Sequence, residues 1–198
     1  KTDASATSSL AFLKMPVVWW CFTFFFLSTM TLAVVQSFSV SILQAMYNVT
    51  FEAATFTLTA YMLCAAAGMF VGGFVAARWQ HHTDRVVASC MLTGAFFMAV
   101  CGSGVLGADL TMFVLATTGL AIGVGGPSRD MMIKKATPKG ATGRVYGMVY
   151  SGLDVGFAVS PLIFGVFMDH GWFGATLLGA ALVLLLSVWV ALGVGRRT

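Results

Sequence analysis

Asp154 is the residue whose surroundings most directly suggest chemistry. It lies within an apolar stretch, residues 145–168, that is long enough to cross a membrane as a helix. Tyr146 and Tyr150 precede it at intervals of four residues, which places the three side chains on one helical face. Because an ionised group at mid-membrane costs at least about 2.5 kcal/mol, such residues mark proton, ion or substrate paths. The alternative is a structural aspartic acid that is protonated or hydrogen-bonded to a neighbouring helix.

Three further polar residues are candidates for the same path. Gln36 and Gln44 lie eight residues apart in another apolar stretch, on one helical face. Amides are costly in hydrocarbon unless they are paired. Arg129 directly follows a Gly-Gly-Pro-Ser segment and either binds an anionic substrate or anchors a helix end. The candidate substrate- or proton-binding residues are Asp154, Tyr150, Tyr146, Gln36, Gln44 and Arg129.

The composition indicates a membrane protein. Of the 198 residues 59% are hydrophobic and 9% are charged, whereas a soluble domain carries roughly 25% charged residues. Six apolar stretches are predicted to span the bilayer: 16–46, 53–77, 86–106, 110–127, 145–168 and 172–194. Residues 1–15 are predicted to be the end of a cytoplasmic linker and residues 16–197 one transmembrane domain. We expect a further part of the protein to precede Lys1.

The basic residues predict the orientation of these spans. With the spans as above, all eleven Lys and Arg residues lie on one side of the membrane: Lys1, Lys14, Arg78, Arg85, Arg129, Lys134, Lys135, Lys139, Arg144, Arg196 and Arg197. The opposite connections carry only the acids Glu52, Asp109 and Asp169. Because positively charged loops stay in the cytoplasm, both termini are predicted to be cytoplasmic.

The same distribution argues against several other classes of protein. The basic residues form no stripe on a soluble surface, so we expect no nucleic-acid partner. The four cysteines lie apart in apolar stretches and the three histidines lie in connections, so we expect no metal site and no cofactor.

Polar side chains are unevenly distributed among the spans. The first, second and fifth carry most of the amides, hydroxyls and carboxyls, whereas the third and sixth carry few. We therefore expect the first, second and fifth spans to line a polar interior and the third and sixth to face lipid. Gly152 and Gly156 lie roughly opposite Asp154, where small residues four apart would let a neighbouring helix approach closely.

Two segments resemble motifs of the major facilitator superfamily. Residues 73–78, Gly-Phe-Val-Ala-Ala-Arg, followed by Asp84-Arg85, resemble the family's loop motif G-x-L-A-D-R-x-G-R-R, with Ala77 in place of the usual acid. Residues 144–147, Arg-Val-Tyr-Gly, followed by Gly156, Pro161, Gly165 and Asp169, resemble the eleventh span of bacterial drug-efflux-like members. The similarities extend over residues 16–197.

The resemblance implies an all-α fold of six transmembrane helices. These would be spans seven to twelve, the C-terminal half of a twelve-span transporter built from two inverted three-helix repeats. In that family spans seven, eight, ten and eleven line the central cavity. The cytoplasmic gate motif would comprise Gly73, Arg78, Asp84 and Arg85.

The implied function is secondary active transport: proton-coupled uptake or efflux of a small organic solute in the bacterial inner membrane. Alternating access would need an N-terminal six-helix half, from the same protein or from a second copy. The alternative is a non-transporting membrane scaffold or sensor derived from a transporter half.

A membrane enzyme is not expected. A rhomboid-like protease needs an intramembrane serine paired with histidine. Ser103 has glycine neighbours that partly resemble such a site, but no histidine lies in any predicted span.

Overall fold

The chain forms six long helices, each long and apolar enough to cross a membrane, in a computed structural model that describes residues 15–136 and 142–195. They are α1 (Pro16–Tyr47), α2 (Phe51–Arg78), α3 (Thr83–Gly102), α4 (Ala108–Ala136), α5 (Thr142–Asp169) and α6 (Phe173–Gly195). The predicted all-α fold of six spans is confirmed. Residues 1–14 of the predicted linker, and Lys139, Arg196 and Arg197, lie outside the described residues.

A short capped connection reverses the chain between α1 and α2. Pro16 occupies the first turn of α1, where its missing N–H leaves no hydrogen bond unmade. At the other end Asn48 adopts the left-handed conformation (φ 53°), and its N–H donates to the Gln44 carbonyl. The Thr50 hydroxyl then accepts a hydrogen bond from the Ala53 N–H at 3.3 Å and caps α2.

The helix contacts repeat with a period of three helices. Helix α4 packs mainly against α2 and α3, and α1 packs correspondingly against α5 and α6. Helices α3 and α6, which correspond to each other, are in mutual contact. This is the arrangement expected of two three-helix repeats that exchange packing partners.

Glycines allow α2 and α4 to approach until their backbones touch. A Cβ atom added at Gly68 or Gly72 of α2 would lie 2.5 or 2.4 Å from a carbonyl oxygen of α4. A Cβ atom at Gly119 or Gly123 of α4 would lie 2.2 Å from a carbonyl oxygen of α2. The pair is therefore a reciprocal small-xxx-small contact, which the sequence analysis did not identify.

The predicted contact face of α5 is confirmed. Cβ atoms at Gly152 and Gly156 would lie 2.8 and 2.7 Å from the carbonyl oxygens of Phe22 and Phe26 on α1. Further along the same face, the Ser160 hydroxyl donates to the Met30 carbonyl at 2.9 Å.

Two predicted span boundaries are wrong. The fourth span was expected to end at Pro127, but α4 continues to Ala136. Proline is tolerated within transmembrane helices because neighbouring groups satisfy the backbone around it. Arg129 and Asp130 therefore lie inside a helix, and Asp154 is not the only ionisable group within a span. The third span was expected to reach residue 106, but α3 ends at Gly102.

The helix ends form two opposite sets. Met46, at the end of α1, lies beside Gly104, which follows α3, and beside Gly174, in the first turn of α6. At the other end Trp20 of α1 packs against Gly193 of α6. We call the second set the basic end, because the α2–α3 connection with its arginines belongs to it. In the predicted orientation the basic end is cytoplasmic.

Candidate functional site

Arg129 is held inside the bundle by an aromatic ring and a carboxylate. Its guanidinium carbon lies 4.7 Å from the centroid of the Phe25 ring on α1, a cation–π distance. Its Nε lies 3.8 Å from Oδ1 of Asp130. The Arg129 side chain is 21% exposed and that of Asp130 is 49% exposed, so the pair points from the packed interior towards an open surface.

Two tyrosines of α5 complete this group. The Tyr150 hydroxyl donates to Asp130 Oδ1 at 3.4 Å, which joins α5 to α4. The Tyr150 ring packs against Phe25 with centroids 5.5 Å apart, and it stacks on Tyr146 at 5.8 Å with an interplanar angle of 16°. We refer to Phe25, Arg129, Asp130, Tyr146 and Tyr150 as the Arg129 cluster.

Asp130 connects the Arg129 guanidinium of its own helix, α4, with the Tyr150 hydroxyl of α5. Its carboxylate attracts the guanidinium and accepts the hydrogen bond, and interactions with an ionised acceptor are stronger than those between neutral groups. Arg129 Nε is buried and has no hydrogen-bond partner among the described residues. A shift of about 1 Å would bring it within the ~2.8 Å of a charge-assisted hydrogen bond to Asp130. The ion pair can therefore tighten through a small side-chain movement within α4.

Asp154 lies one helical turn beyond Tyr150, on the exposed side of α5. The opposite side of α5 carries Gly152 and Gly156 and packs on α1. The Asp154 carboxylate makes no hydrogen bond or ion pair within residues 15–136 and 142–195. No other helix of the described chain covers this part of α5. An ionised group facing lipid there would be costly, so this face requires water or a further protein surface.

The two glutamines do not join the Arg129 cluster. Gln36 Nε2 donates to the sulfur of Met62 at 3.9 Å, which ties α1 to α2. Residues 26–30 of α1 contact the Gly156 region of α5, so Gln36 lies at least about 9 Å further along α1. Gln44 is two turns further away and is half-buried. The structure thus brings together Arg129, Tyr146 and Tyr150, and it places the glutamines towards the opposite end.

The predicted gate residues surround the α2–α3 connection at the basic end. Gly73, Arg78 and Arg85 are exposed and Asp84 is half-buried. In the part of the chain that the structure describes, the charged residues of the motif form no ion pair with one another.

Lys135 at the end of α4 reaches this connection. Its Nζ donates to the Gln80 carbonyl and, at 3.3 Å, to the Thr83 hydroxyl. Sequence reasoning missed both Asp130 and Lys135. The spacing of the charged residues after Arg129 is compatible with a helix that continues. Pro127 obscured this signal, because proline favours a helix end.

Comparison with known proteins supplies the family. A family model, Major Facilitator Superfamily, matches residues 20–198 and so extends over parts of all six helices. No curated protein and no solved structure matches the chain. Since the match covers well over half of the sequence, the chain belongs to the major facilitator superfamily of membrane transporters.

Proposed function

We propose that the chain forms one six-helix half of a proton-coupled secondary transporter for a small organic solute. The observation that carries the proposal is the line of side chains Tyr146, Tyr150 and Asp154 on α5. It starts in the Arg129 cluster and continues onto a helix face that no other described helix covers. A carboxylate on an uncovered face of a membrane helix is costly unless that face lines an aqueous path.

The partner in this proposal is a second six-helix half that faces α5. It would be the N-terminal half of the same protein, as in the spans seven to twelve assignment, or a second copy. Substrate would bind between the halves, as in transporters built from such repeats. The side chains available to it on this half are a carboxylate, two stacked aromatic rings and, towards the opposite end, Gln36 and Gln44.

The residues have distinct proposed roles. Asp154 exchanges the coupling proton or binds the substrate directly. The Tyr146–Tyr150 stack offers flat rings for packing against a solute. Asp130 links α4 to α5 through Tyr150, and Arg129 links α4 to α1 through Phe25, so the cluster couples the positions of three helices. Arg78, Asp84 and Arg85 contribute to closing the basic end, although Ala77 lacks the carboxylate of the family's motif.

The proposed location is the bacterial inner membrane, with both termini in the cytoplasm. The distribution of basic residues supports this orientation, since Lys135 at the end of α4 lies at the same end of the bundle as Arg78 and Arg85. The resemblance of α5 to drug-efflux-like members favours that branch of the family.

The proposal is tested by transport into liposomes that contain the full-length protein. Ethidium is the first probe, followed by a panel of radiolabelled organic cations, zwitterions and neutral compounds. Asp154→Asn is expected to abolish accumulation driven by a pH gradient, because the amide cannot exchange a proton. The matched control is Asp169→Asn, at the C-terminal end of α5. This variant should transport as the wild type does.

Two results would contradict the proposal. Unchanged coupled transport by Asp154→Asn would remove Asp154 from the mechanism. Failure of the wild-type protein to transport any compound of the panel would favour the scaffold or sensor alternative.

A further inference from the structure

A groove lies between α2, α3 and α4, away from the proposed transport path. It consists of two adjoining cavities of about 570 and 320 Å³, which share Ser89, Cys90 and Val124 as lining residues. None of the lining residues of either cavity belongs to α1, α5 or α6. The groove is therefore separate from the Arg129 cluster and from Asp154.

The length of the groove matches one leaflet of a bilayer. Its lining residues on α3 extend from Arg85 to Phe97, a rise of about 18 Å over twelve residues. The hydrocarbon core of a bilayer is about 30 Å thick, so one leaflet contributes about 15 Å. A chain lying along the groove would cross about one leaflet, starting at the basic end.

The polarity of the groove changes along its length. At the basic end it is lined by Arg85, His82 and Trp79. The Arg85 guanidinium is exposed and has no hydrogen-bond or ion-pair partner among residues 15–136 and 142–195. Trp79 is 53% exposed, and tryptophan is enriched where membrane meets water. Beyond this end the walls are largely apolar, and Phe97 lines the far part.

We propose that this groove binds one anionic phospholipid of the cytoplasmic leaflet. The phosphate lies against Arg85 and the His82 ring, with Trp79 beside the headgroup, and one acyl chain follows α3 towards Phe97. Charge complementarity favours this occupant, because the Arg85 guanidinium, unpaired within the described part of the chain, faces a leaflet whose surface is negatively charged. A long apolar groove below that cation accommodates an acyl chain, which a soluble anion lacks. The proposal depends on the membrane orientation and not on transport activity.

The lipid would affect the predicted gate. Its headgroup would contact the α2–α3 connection, to which Lys135 already ties the end of α4. The bound lipid would therefore stabilise the contact between this connection and α4.

The first test compares headgroups. The full-length protein is purified in detergent, and the retention of added phosphatidylglycerol and phosphatidylcholine is measured by native mass spectrometry. The wild type should retain phosphatidylglycerol preferentially. Arg85→Gln should weaken that retention about five-fold, the factor corresponding to roughly 1 kcal/mol per basic residue at an anionic membrane surface. Lys134→Gln, which removes an exposed cation outside the groove, should retain the lipid as the wild type does.

The second test fills the apolar part of the groove. Ser89 lines both cavities and is exposed, so Ser89→Trp should displace the acyl chain without entering the packed core. Leu92→Trp, on an exposed position of α3 outside both cavities, is the control. Equal lipid retention by Ser89→Trp and Leu92→Trp, or by Arg85→Gln and wild type, would overturn the proposal. Competition by millimolar glycerol 3-phosphate as effective as that by the lipid would identify a soluble anion as the occupant instead.

Discussion

At the scale of single residues, the structure explains how an arginine is accommodated inside a transmembrane helix. Arg129 lies over the ring of Phe25 and beside the carboxylate of Asp130. Both interactions offset part of the cost of removing a cation from water. The sequence predicted Arg129, Tyr146 and Tyr150 as candidates, but it could not predict that Arg129 meets the two tyrosines, because they lie on a different helix.

Asp130→Asn is expected to destabilise the protein by about 1 kcal/mol. The change leaves the Arg129 guanidinium without its ion-pair partner, and the half-exposed position of Asp130 keeps the loss well below that of a fully buried pair. The measurement is the thermal unfolding midpoint of the full-length protein in detergent. Asp169→Asn, which replaces an exposed aspartate at the end of α5, should leave the midpoint unchanged. A midpoint for Asp130→Asn equal to that of the wild type would show that the ion pair contributes nothing.

At the scale of helices, hydroxyl groups indicate less clearly than amides and carboxylates which helices line a polar interior. Many hydroxyls in the spans donate to carbonyls of their own helix, as Thr57, Thr118 and Ser187 do. Thr31 and Ser160 instead bond to the backbone of a neighbouring helix. A count of hydroxyls per span therefore could not show which helices line a polar interior.

Helix packing depends on glycine contacts, of which only some could be predicted from the sequence. The glycine pair of α5 was predicted because it lies opposite an aspartate on a helix with two distinct faces. The corresponding glycines of α2 and α4 lie in spans rich in alanine and glycine, where no polar residue marks the opposite face. Which residues these glycines contact depends on how α2 and α4 pack, and this is visible only in the structure.

Gly123→Ala is expected to destabilise the protein by about 1–3 kcal/mol, the usual cost of overpacking. The new methyl group would lie 2.2 Å from the Ala65 carbonyl oxygen, so α2 and α4 must separate. Gly147→Ala in α5 is the control, because a Cβ atom there meets nothing within 4 Å. Thermal unfolding of the two variants should show a lower midpoint for the first alone. Equal midpoints would mean that the close contact of α2 and α4 does not limit stability.

At the scale of the whole molecule, composition and charge predicted six spans, and the helices confirm that number. The distribution of basic residues predicted the orientation because a membrane imposes one rule on every connection. The same reasoning placed the end of the fourth span at Pro127, since proline and the charges after it resemble a connection. The helix continues because local proline signals are weaker than the packing around it.

The orientation itself can be measured by labelling single cysteines in a protein whose Cys21, Cys64, Cys90 and Cys101 are replaced by alanine. In intact cells a membrane-impermeant maleimide should label Glu52→Cys and should leave Arg85→Cys unlabelled until the membrane is opened. Labelling of both positions from the same side would contradict the six-span topology.

The central claim is that the Asp154 face of α5 lines water rather than lipid, and the same cysteine-free background tests it most directly. Maleimides react with thiolates, which form in water and not in hydrocarbon. Asp154→Cys should therefore react in the membrane-embedded full-length protein, whereas Leu186→Cys, exposed on the apolar helix α6, should not. Failure of Asp154→Cys to react, or equal reaction at both positions, would contradict an aqueous path along α5.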